Sequence, residues 1–550
     1  MDWQGRARFT VFDSAFGTGE RFHALVQAWR DDPLRPARLH YIALDASPLP
    51  GCRRLPQADE AVTLDLLSAP LEAALAQLDA RIDAIELHGG HGAHGVQPGF
   101  ARALARRCAP GAVLAAHGLN ALQARELAGA GFACQATADG MLKAVFTSRK
   151  PPSPWARAPV SRRRAIVLGA GLAGAAACER LCARGWEVTL IERHAAPAQE
   201  ASGNLAGIFM PLLSRDDNIM TRLARASFLY ALAYWKKLGG FGGGIVGAQC
   251  GVLQLARDER HAQVQQAIAA EHGYPPDYAQ WFEPGHASAL GGLHAPHGAW
   301  LFPQAGWARP ASVCAVMLDA CGPALVRHFG AGRVSLERGA DEWIARAESG
   351  AALASAPVVI VATGTGAIEL AQSAQLPLAK VRGQVTHLAQ GSLPELPFVL
   401  CREAYVTPAV HGWHSVGASY DDHDDQAVRA DSQQANLAKV RSLLGDAGIG
   451  RAAPLEGRVG FRCVAPDRLP LVGALPDAHN GEGVERLREI ARQPGLYGLL
   501  GYASRGLIWA PLAAELLASQ LDGDPLPLEA DLATALDPAR FILRARRRRV

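Results

Sequence analysis

A chain of 550 residues is long enough for two or three domains with full cores. Charged residues make up 19% and hydrophobic residues 49%, which excludes wholesale disorder and suits a globular enzyme. The net charge of +3 is too small to argue for nucleic-acid binding by itself, although Arg162-Arg163-Arg164 and the closing run of Arg544 and Arg546 to Arg549 concentrate positive charge in two places. The ten cysteines show no Cys-x-x-Cys and no cluster with histidine at zinc spacing, a usage that suits a reducing cytoplasm; the N-terminus carries no signal-peptide pattern. The most apolar late stretch, Leu496 to Leu517, is interrupted by Arg505, Pro511 and Glu515, so no membrane span is expected.

The first elements alternate. A strand at Thr10 to Phe12 runs into Asp13-Ser14-Ala15-Phe16-Gly17-Thr18-Gly19; a helix follows from Glu20 to Arg30, then a strand from Leu39 to Leu44 that ends on Asp45. Strand, glycine turn, helix and strand ending in an acid is the arrangement a nucleoside cofactor needs, and the compact Phe-Gly-Thr-Gly suits S-adenosylmethionine better than a pyrophosphate. Asp13, Gly17, Gly19 and Asp45 are the candidates for that ligand. Strands at Ile82 to Leu87, Val113 to Ala116 and Lys143 to Phe146, with helices at Phe100 to Arg107 and Ala121 to Ala130, complete one doubly wound sheet. Little precedes the first strand. After the strand ending at Leu87, where a transferase would carry an acid, stands His88-Gly89-Gly90-His91-Gly92-Ala93-His94-Gly95. Such a glycine-rich loop holds no fixed ligand geometry, so a surface loop is expected and no metal site is assigned. Lys150 to Arg163, rich in proline and arginine, reads as an extended linker.

The second half opens on the clearest stretch of the chain. The apolar run Ala165 to Leu168 leads into Gly169-Ala170-Gly171-Leu172-Ala173-Gly174, a helix follows from Ala175 to Arg184, and a second run, Val188 to Ile191, ends on Glu192. Each part serves a dinucleotide: Gly169 for the tight turn, Gly171 for close approach to a pyrophosphate, Gly174 for helix–strand packing, Glu192 for a ribose diol. Small residues then recur where backbone could approach a flat ring: Glu200-Ala201-Ser202-Gly203-Asn204, and Ala362-Thr363-Gly364 after the strand Val358 to Val361. Later come Val381-Arg382-Gly383-Gln384-Val385, strands around Tyr405-Val406 and His414 to Tyr420, Gly460-Phe461-Arg462-Cys463, Asp467 to Gly473, and Gly501-Tyr502-Ala503-Ser504-Arg505-Gly506-Leu507, which opens a helix to Ser519.

On these motifs residues 164 to 550 resemble the flavin-dependent amine oxidases of the glycine oxidase and D-amino-acid oxidase type. Ala-Ser-Gly-Asn, Pro211-Leu212-Leu213-Ser214, Ala305-Gly306-Trp307, Arg-Gly-Gln-Val, Gly417-Ala418-Ser419-Tyr420, Asp-x-x-Pro-x-x-Gly and Ser-Arg-Gly-Leu with Ala510-Pro511 look, within that type, like the oxidase half of the MnmC family. That family finishes 5-methylaminomethyl-2-thiouridine at the tRNA wobble position, and the front domain sits where it carries its methyltransferase. The resemblance implies an α/β chain: an N-terminal doubly wound methyltransferase-like Rossmann domain over 1–149, the linker 150–163, then a glycine-oxidase-like FAD-binding Rossmann domain with an interleaved antiparallel-sheet substrate domain over 164–550. Within the latter it implies FAD-binding parts at about 164–230, 300–380 and 455–525, and substrate parts mainly at about 231–299 and 381–454.

The implied cofactor is FAD, held by Gly169, Gly171, Leu172, Ala173, Gly174, Glu192, Arg193, Ser202, Gly203 and Asn204, with Gly364, Gly473, Gly501, Ser504, Gly506 and Leu507. The implied substrate is tRNA at its anticodon wobble uridine, and the reaction is oxidative removal of a carboxymethyl group from a secondary amine. Arg462 is the first choice for gripping the carboxylate, since a guanidinium pairs with it bidentately. Arg505 at a helix start could stabilise negative charge on reduced flavin. Gln384 and Tyr405 are further pocket candidates. For the front half the family's Asp-Gly-Phe, an acid able to take a proton from the attacking ammonium, is replaced by His88-Gly89-Gly90, and the reading favours loss of methylation over retention. The alternative is a small-molecule oxidase for glycine- or sarcosine-like amines with a non-catalytic front module. A tRNA substrate calls for an open, basic entrance near Arg162 to Arg164 and the C-terminal arginines; a free amino acid calls for a closed pocket.

Overall fold

The computed structural model describes residues 3–88, 99–138, 140–147, 159–291, 293–421, 423–445, 449, 455–477 and 485–547. The chain divides into two compact units, Met1–Ser161 with Glu515–Thr534 and Arg162–Ala514 with Ala535–Val550.

The first unit is built on an eight-stranded sheet in the order Gly51–Pro56, Val62–Ser68, Arg38–Leu44, Arg8–Asp13, Ile82–His88, Cys108–His117, Leu142–Phe146, Phe132–Ala136. The five central strands, from Val62–Ser68 to Cys108–His117, run parallel; the remaining pairings are antiparallel. Helix Glu20–Asp31 presents Phe22, Leu25, Val26 and Trp29, a single apolar stripe at helical spacing, to the core on one face. Helices Leu71–Gln77, Phe100–Ala105 and Ala121–Gly129 fill the other. The expected doubly wound sheet is present; the antiparallel strands Gly51–Pro56 and Phe132–Ala136 are additions that the sequence reading did not contain. Strand order reverses at Arg8–Asp13, so Asp13 stands at the carboxyl end of the switch-point strand, where such sheets bind ligands. Segment Glu515–Thr534 belongs here for an electrostatic reason. Arg54, buried in the sheet, donates to Asp65 at 2.7 and 2.8 Å, to Glu515 at 2.8 Å and to Ser519 at 3.0 Å. Glu515 and Ser519 lie on the later turns of helix Gly506–Asp522.

The second unit holds two larger sheets. One has six strands in the order Leu325–His328, Glu187–Ile191, Arg164–Leu168, Val358–Val361, Arg492–Leu500, Leu471–Pro476, of which the last alone is antiparallel to its neighbour. Order again reverses at its first strand, Arg164–Leu168. The other has eight mostly antiparallel strands and carries helix Ala430–Leu444 through Leu437, Val440 and Leu443. Its long strands Ala379–Ala389 and Glu456–Val464 pair over nine residues, with Arg382 opposite Phe461 and Gly383 opposite Gly460. Ala299–Phe302, at the boundary expected between a substrate part and an FAD-binding part, and Glu456–Val464, expected in an FAD-binding part, are strands of this second sheet. No helix among the described residues is long and apolar enough to cross a membrane.

Candidate active site

The turn after Arg164–Leu168 requires glycine. Gly169 sits at φ +98°, and a Cβ there would lie 2.7 Å from the Ala362 carbonyl oxygen. A Cβ at Gly174 would run into the Gly169 carbonyl, so only glycine lets the helix pack on the strand. That helix spans Leu172–Cys182, three residues earlier than expected: Gly171 caps it, and the first helical bond runs from the Ala175 N–H to the Gly171 carbonyl at 2.9 Å. The Leu172 N–H donates to Ser202 Oγ at 3.1 Å. Glu192 is buried and accepts from the Ala170 N–H at 2.7 Å and the His194 N–H at 2.9 Å. Two fixed donors hold the carboxylate in place and leave it acceptor capacity for a diol.

These residues open onto one cavity of 620 Å³ in the second unit. Gly169, Gly171, Leu172, Ala173, Glu192, Arg193, Ser202 and Asn204 line one part; Gly364, Gly501, Ser504, Gly506 and Leu507 line another; Tyr405, Arg462 and Arg505 line a third. Gly174 and Gly203 lie behind the lining. At Gly203 the Arg458 guanidinium fills the space of a side chain, donating to the Gln199 and Glu200 carbonyls at 2.6 Å each and to Asn204 at 3.3 Å. Gly473 is a strand residue opposite Gly498. Gln384 is not brought to the cavity either. It is fully buried, accepting from the Arg429 N–H at 2.8 Å and donating to the Arg429 carbonyl at 2.9 Å, so it ties a strand to a helix start.

The cavity's cations are the informative feature. Arg462 projects from Glu456–Val464 past Gly383, where any side chain would collide with its guanidinium. Its Nη1 donates to the Arg382 and Ser419 carbonyls at 3.3 Å, and Tyr420 covers it with 4.2 Å between guanidinium carbon and ring centre. Arg505 precedes helix Gly506–Asp522, and burial lowers its pKa. Neither guanidinium has a carboxylate partner among the described residues. Buried arginines elsewhere in this unit do: Arg382 pairs with Asp421 at 2.7 Å and Arg225 with Asp217 at 2.7 Å. Tyr405 is pushed up to about 12 by burial, against the pull of Arg462, so its hydroxyl stays protonated and can donate. Tyr420, 66% exposed, is a lining aromatic that sequence reasoning missed, as are Phe209, Phe461 and Tyr502; its signal was the aromatic that closes Gly-Ala-Ser-Tyr.

The expected basic entrance takes another form. Arg162 and Arg164 both pair with Glu342, Arg163 donates to the Arg184 carbonyl, and Arg544 pairs with Asp467; none of them lines the cavity. The side chains of Arg546 to Arg549, the loop from Gly89 to Gly95 and most of the proposed linker lie outside the described residues. No metal-binding group of His, Cys, Asp or Glu occurs among the described residues, and all ten cysteines are free.

In the first unit, Asp13 is buried and receives Arg21 Nε at 2.9 Å, Arg21 Nη2 at 3.2 Å, the Tyr41 hydroxyl at 2.6 Å and the Ala15 N–H at 2.9 Å. Asp45 pairs with Arg53. Gly17 and Gly19 take positive φ, Gly19 capping helix Glu20–Asp31.

Residues 164–520 match the FAD dependent oxidoreductase family. Over 99% of its length the chain is 40% identical to the tRNA 5-methylaminomethyl-2-thiouridine biosynthesis bifunctional protein MnmC of Paraburkholderia phytofirmans, and 41% identical to that of an Azoarcus species, covering 92% of each. The chain belongs to the MnmC family. Its fold is shared with glycine oxidase from Geobacillus kaustophilus (TM-score 0.57, 22% identity, 69% of this chain and 99% of that one). Iminodiacetate oxidase from Chelativorans shares it too (TM-score 0.55, 24% identity, 66% and 96%). The residues present fit the FAD of such a MnmC chain: the glycine cradle admits a pyrophosphate, Glu192 is poised for a diol, and the buried Thr363 and Tyr502 hydroxyls beside the cavity lack partners among the described residues.

Proposed function

We propose that this chain removes the carboxymethyl group from 5-carboxymethylaminomethyl-2-thiouridine at the wobble position of tRNA in the cytoplasm, leaving 5-aminomethyl-2-thiouridine. The observation that carries the reading is the pair of guanidiniums, Arg462 and Arg505, that line the cavity with no carboxylate paired to either among the described residues. A cation left without a carboxylate in a partly buried cavity is stabilised by an anionic ligand. Arg462 presents the planar fork that suits the glycine-like carboxylate of the substrate. Tyr405 donates a hydrogen bond on the same side. Arg505 sets positive charge against negative charge arriving on the cofactor. Gly169, Gly171, Leu172, Ala173, Glu192, Arg193, Ser202 and Asn204 hold the dinucleotide, with Gly364, Gly501, Ser504, Gly506 and Leu507 along the remainder. FAD, when bound, supplies the two-electron acceptor that turns the secondary amine into an imine, which water splits into glyoxylate and the primary amine.

Near-full-length identity to MnmC relatives favours tRNA over a free amino acid, and so does a cavity lined by side chains as exposed as Tyr420 and Glu403. The direct test is purified enzyme incubated with tRNA bearing the carboxymethylaminomethyl group. Conversion to the aminomethyl nucleoside with one glyoxylate per turnover is expected. An enzyme that oxidises glycine or sarcosine while leaving this tRNA untouched overturns the reading.

A further inference from the structure

The MnmC relatives are named bifunctional proteins, and the front unit occupies the methyltransferase position of that family. S-adenosylmethionine is a sulfonium cation that also carries an ammonium and a ribose diol. Its site needs negative charge free to face it and acceptors free to take its hydroxyls. The described residues of the front unit do not fit it.

A carboxylate has about four acceptor positions. At Asp13 all four are taken: Arg21 Nε and the Tyr41 hydroxyl on Oδ2, Arg21 Nη2 and the Ala15 N–H on Oδ1. Arg21 comes from the first turn of the helix that follows the glycine loop, and it also donates to the Ala15 carbonyl. A guanidinium of this chain therefore stands at the switch point where a cationic ligand would have to lie. Asp45, at the end of the adjacent strand, is paired with Arg53 from the neighbouring hairpin. His88 replaces the acid after the fourth parallel strand. Its ring stacks on His117 at 5.7 Å, and its Nε2 lies 3.6 Å from Asp13. Burial and the nearby Arg21 push the imidazole's pKa down, and in neither of its forms does it supply negative charge. Glu86, two residues earlier on the same strand, has its carboxyl pushed up by burial and by Asp13, towards the uncharged form.

We infer that the front unit holds no S-adenosylmethionine, and that this chain ends its work at the primary aminomethyl uridine. Arg21 fills acceptor positions of Asp13 and stands as a cation at the switch point, and Arg53 sets a second cation against Asp45. Any methylamino group at that wobble base must then come from a separate methyl-transferring enzyme acting on the product of this one. The statement about the product rests on the function proposed above; the statement about binding does not.

The test uses the full-length, FAD-loaded protein. Hydrogen exchange across Arg8–Asp13 and Arg38–Leu44 first establishes that the front sheet is folded. S-adenosylmethionine and S-adenosylhomocysteine, a thioether that lacks the sulfonium charge, are then each titrated by calorimetry. In parallel, tRNA bearing the carboxymethylaminomethyl group is treated with enzyme and S-adenosylmethionine, and its nucleosides are analysed. No saturable binding of either probe up to about 1 mM, with the primary amine as end product, is expected. Micromolar binding of either probe, or a methylamino nucleoside that appears only with S-adenosylmethionine, overturns the inference. Should the tRNA stay unconverted, the oxidase reading fails, while the titration still decides the inference.

Discussion

Replacing Arg462 by methionine keeps the length and apolar stem of the side chain and removes the fork. Met fits the space that Gly383 leaves open, so the strands Ala379–Ala389 and Glu456–Val464 should stay paired. In the wild type one nitrogen of the guanidinium is occupied by two carbonyls at 3.3 Å; the others have no protein acceptor among the described residues and are available to a carboxylate. Two hydrogen bonds to a charged group are worth about 1.5–3 kcal/mol each. Arg462 is half-buried, and solvent screening puts the loss towards the low end, about 3 kcal/mol, or roughly a hundredfold in kcat/KM. Arg462→Lys keeps the charge without the fork and should lose about tenfold. The assay is steady-state glyoxylate release from modified tRNA, with flavin absorbance and melting temperature as controls. If Arg462→Met retains kcat/KM within threefold of wild type while carrying its flavin, Arg462 does not grip the substrate.

Further outcomes follow from the same geometry. Gly174→Ala places a methyl group against the Gly169 carbonyl, and the purified variant should be colourless; a normal ratio of flavin to protein absorbance contradicts this. Tyr405→Phe removes one neutral hydrogen bond and should lower kcat/KM by about 2–10-fold. Because burial pushes the Tyr405 phenol up to about 12, it stays protonated below that value, and wild type and Tyr405→Phe should show the same pH profile from pH 6 to 10. A limb in that range lost only in the variant refutes the assignment. Arg54→Met removes the guanidinium shared by the buried Asp65 and Glu515 carboxylates and should cost about 3–5 kcal/mol in chemical denaturation; a loss below about 1 kcal/mol contradicts the role given to that cluster.

What could be read from the sequence was mostly local. The glycine turn at Gly169, the strand before it and Glu192 after it lie within about thirty residues, the span of one βαβ unit, and each reports a backbone requirement that survives in any context. The helix start was misplaced because Gly171, Leu172 and Ala173 carry no side-chain cap, and the cap is the Gly171 backbone itself. Long-range contacts were not legible. Gln384 follows Arg382 and Gly383 in a motif that looks like a pocket, but its partner is the backbone of Arg429, forty-five residues on, and no spacing rule announces that. Tyr420 lines the cavity and covers Arg462, a residue far along the chain that no local motif places beneath it. The Arg54–Glu515 pair spans 461 residues. Arg162 and Arg164 read as a basic patch, but both pair with Glu342, which sequence alone does not place beside them.

The central claim is that a cavity lined by two guanidiniums, neither paired to a carboxylate among the described residues, oxidises a glycine-like tail on tRNA. Nucleoside analysis of tRNA from a strain lacking this chain tests it most directly. The account predicts accumulation of 5-carboxymethylaminomethyl-2-thiouridine, reversed by the wild-type gene and not by one encoding Arg462→Met. A nucleoside profile unchanged by the deletion would contradict it.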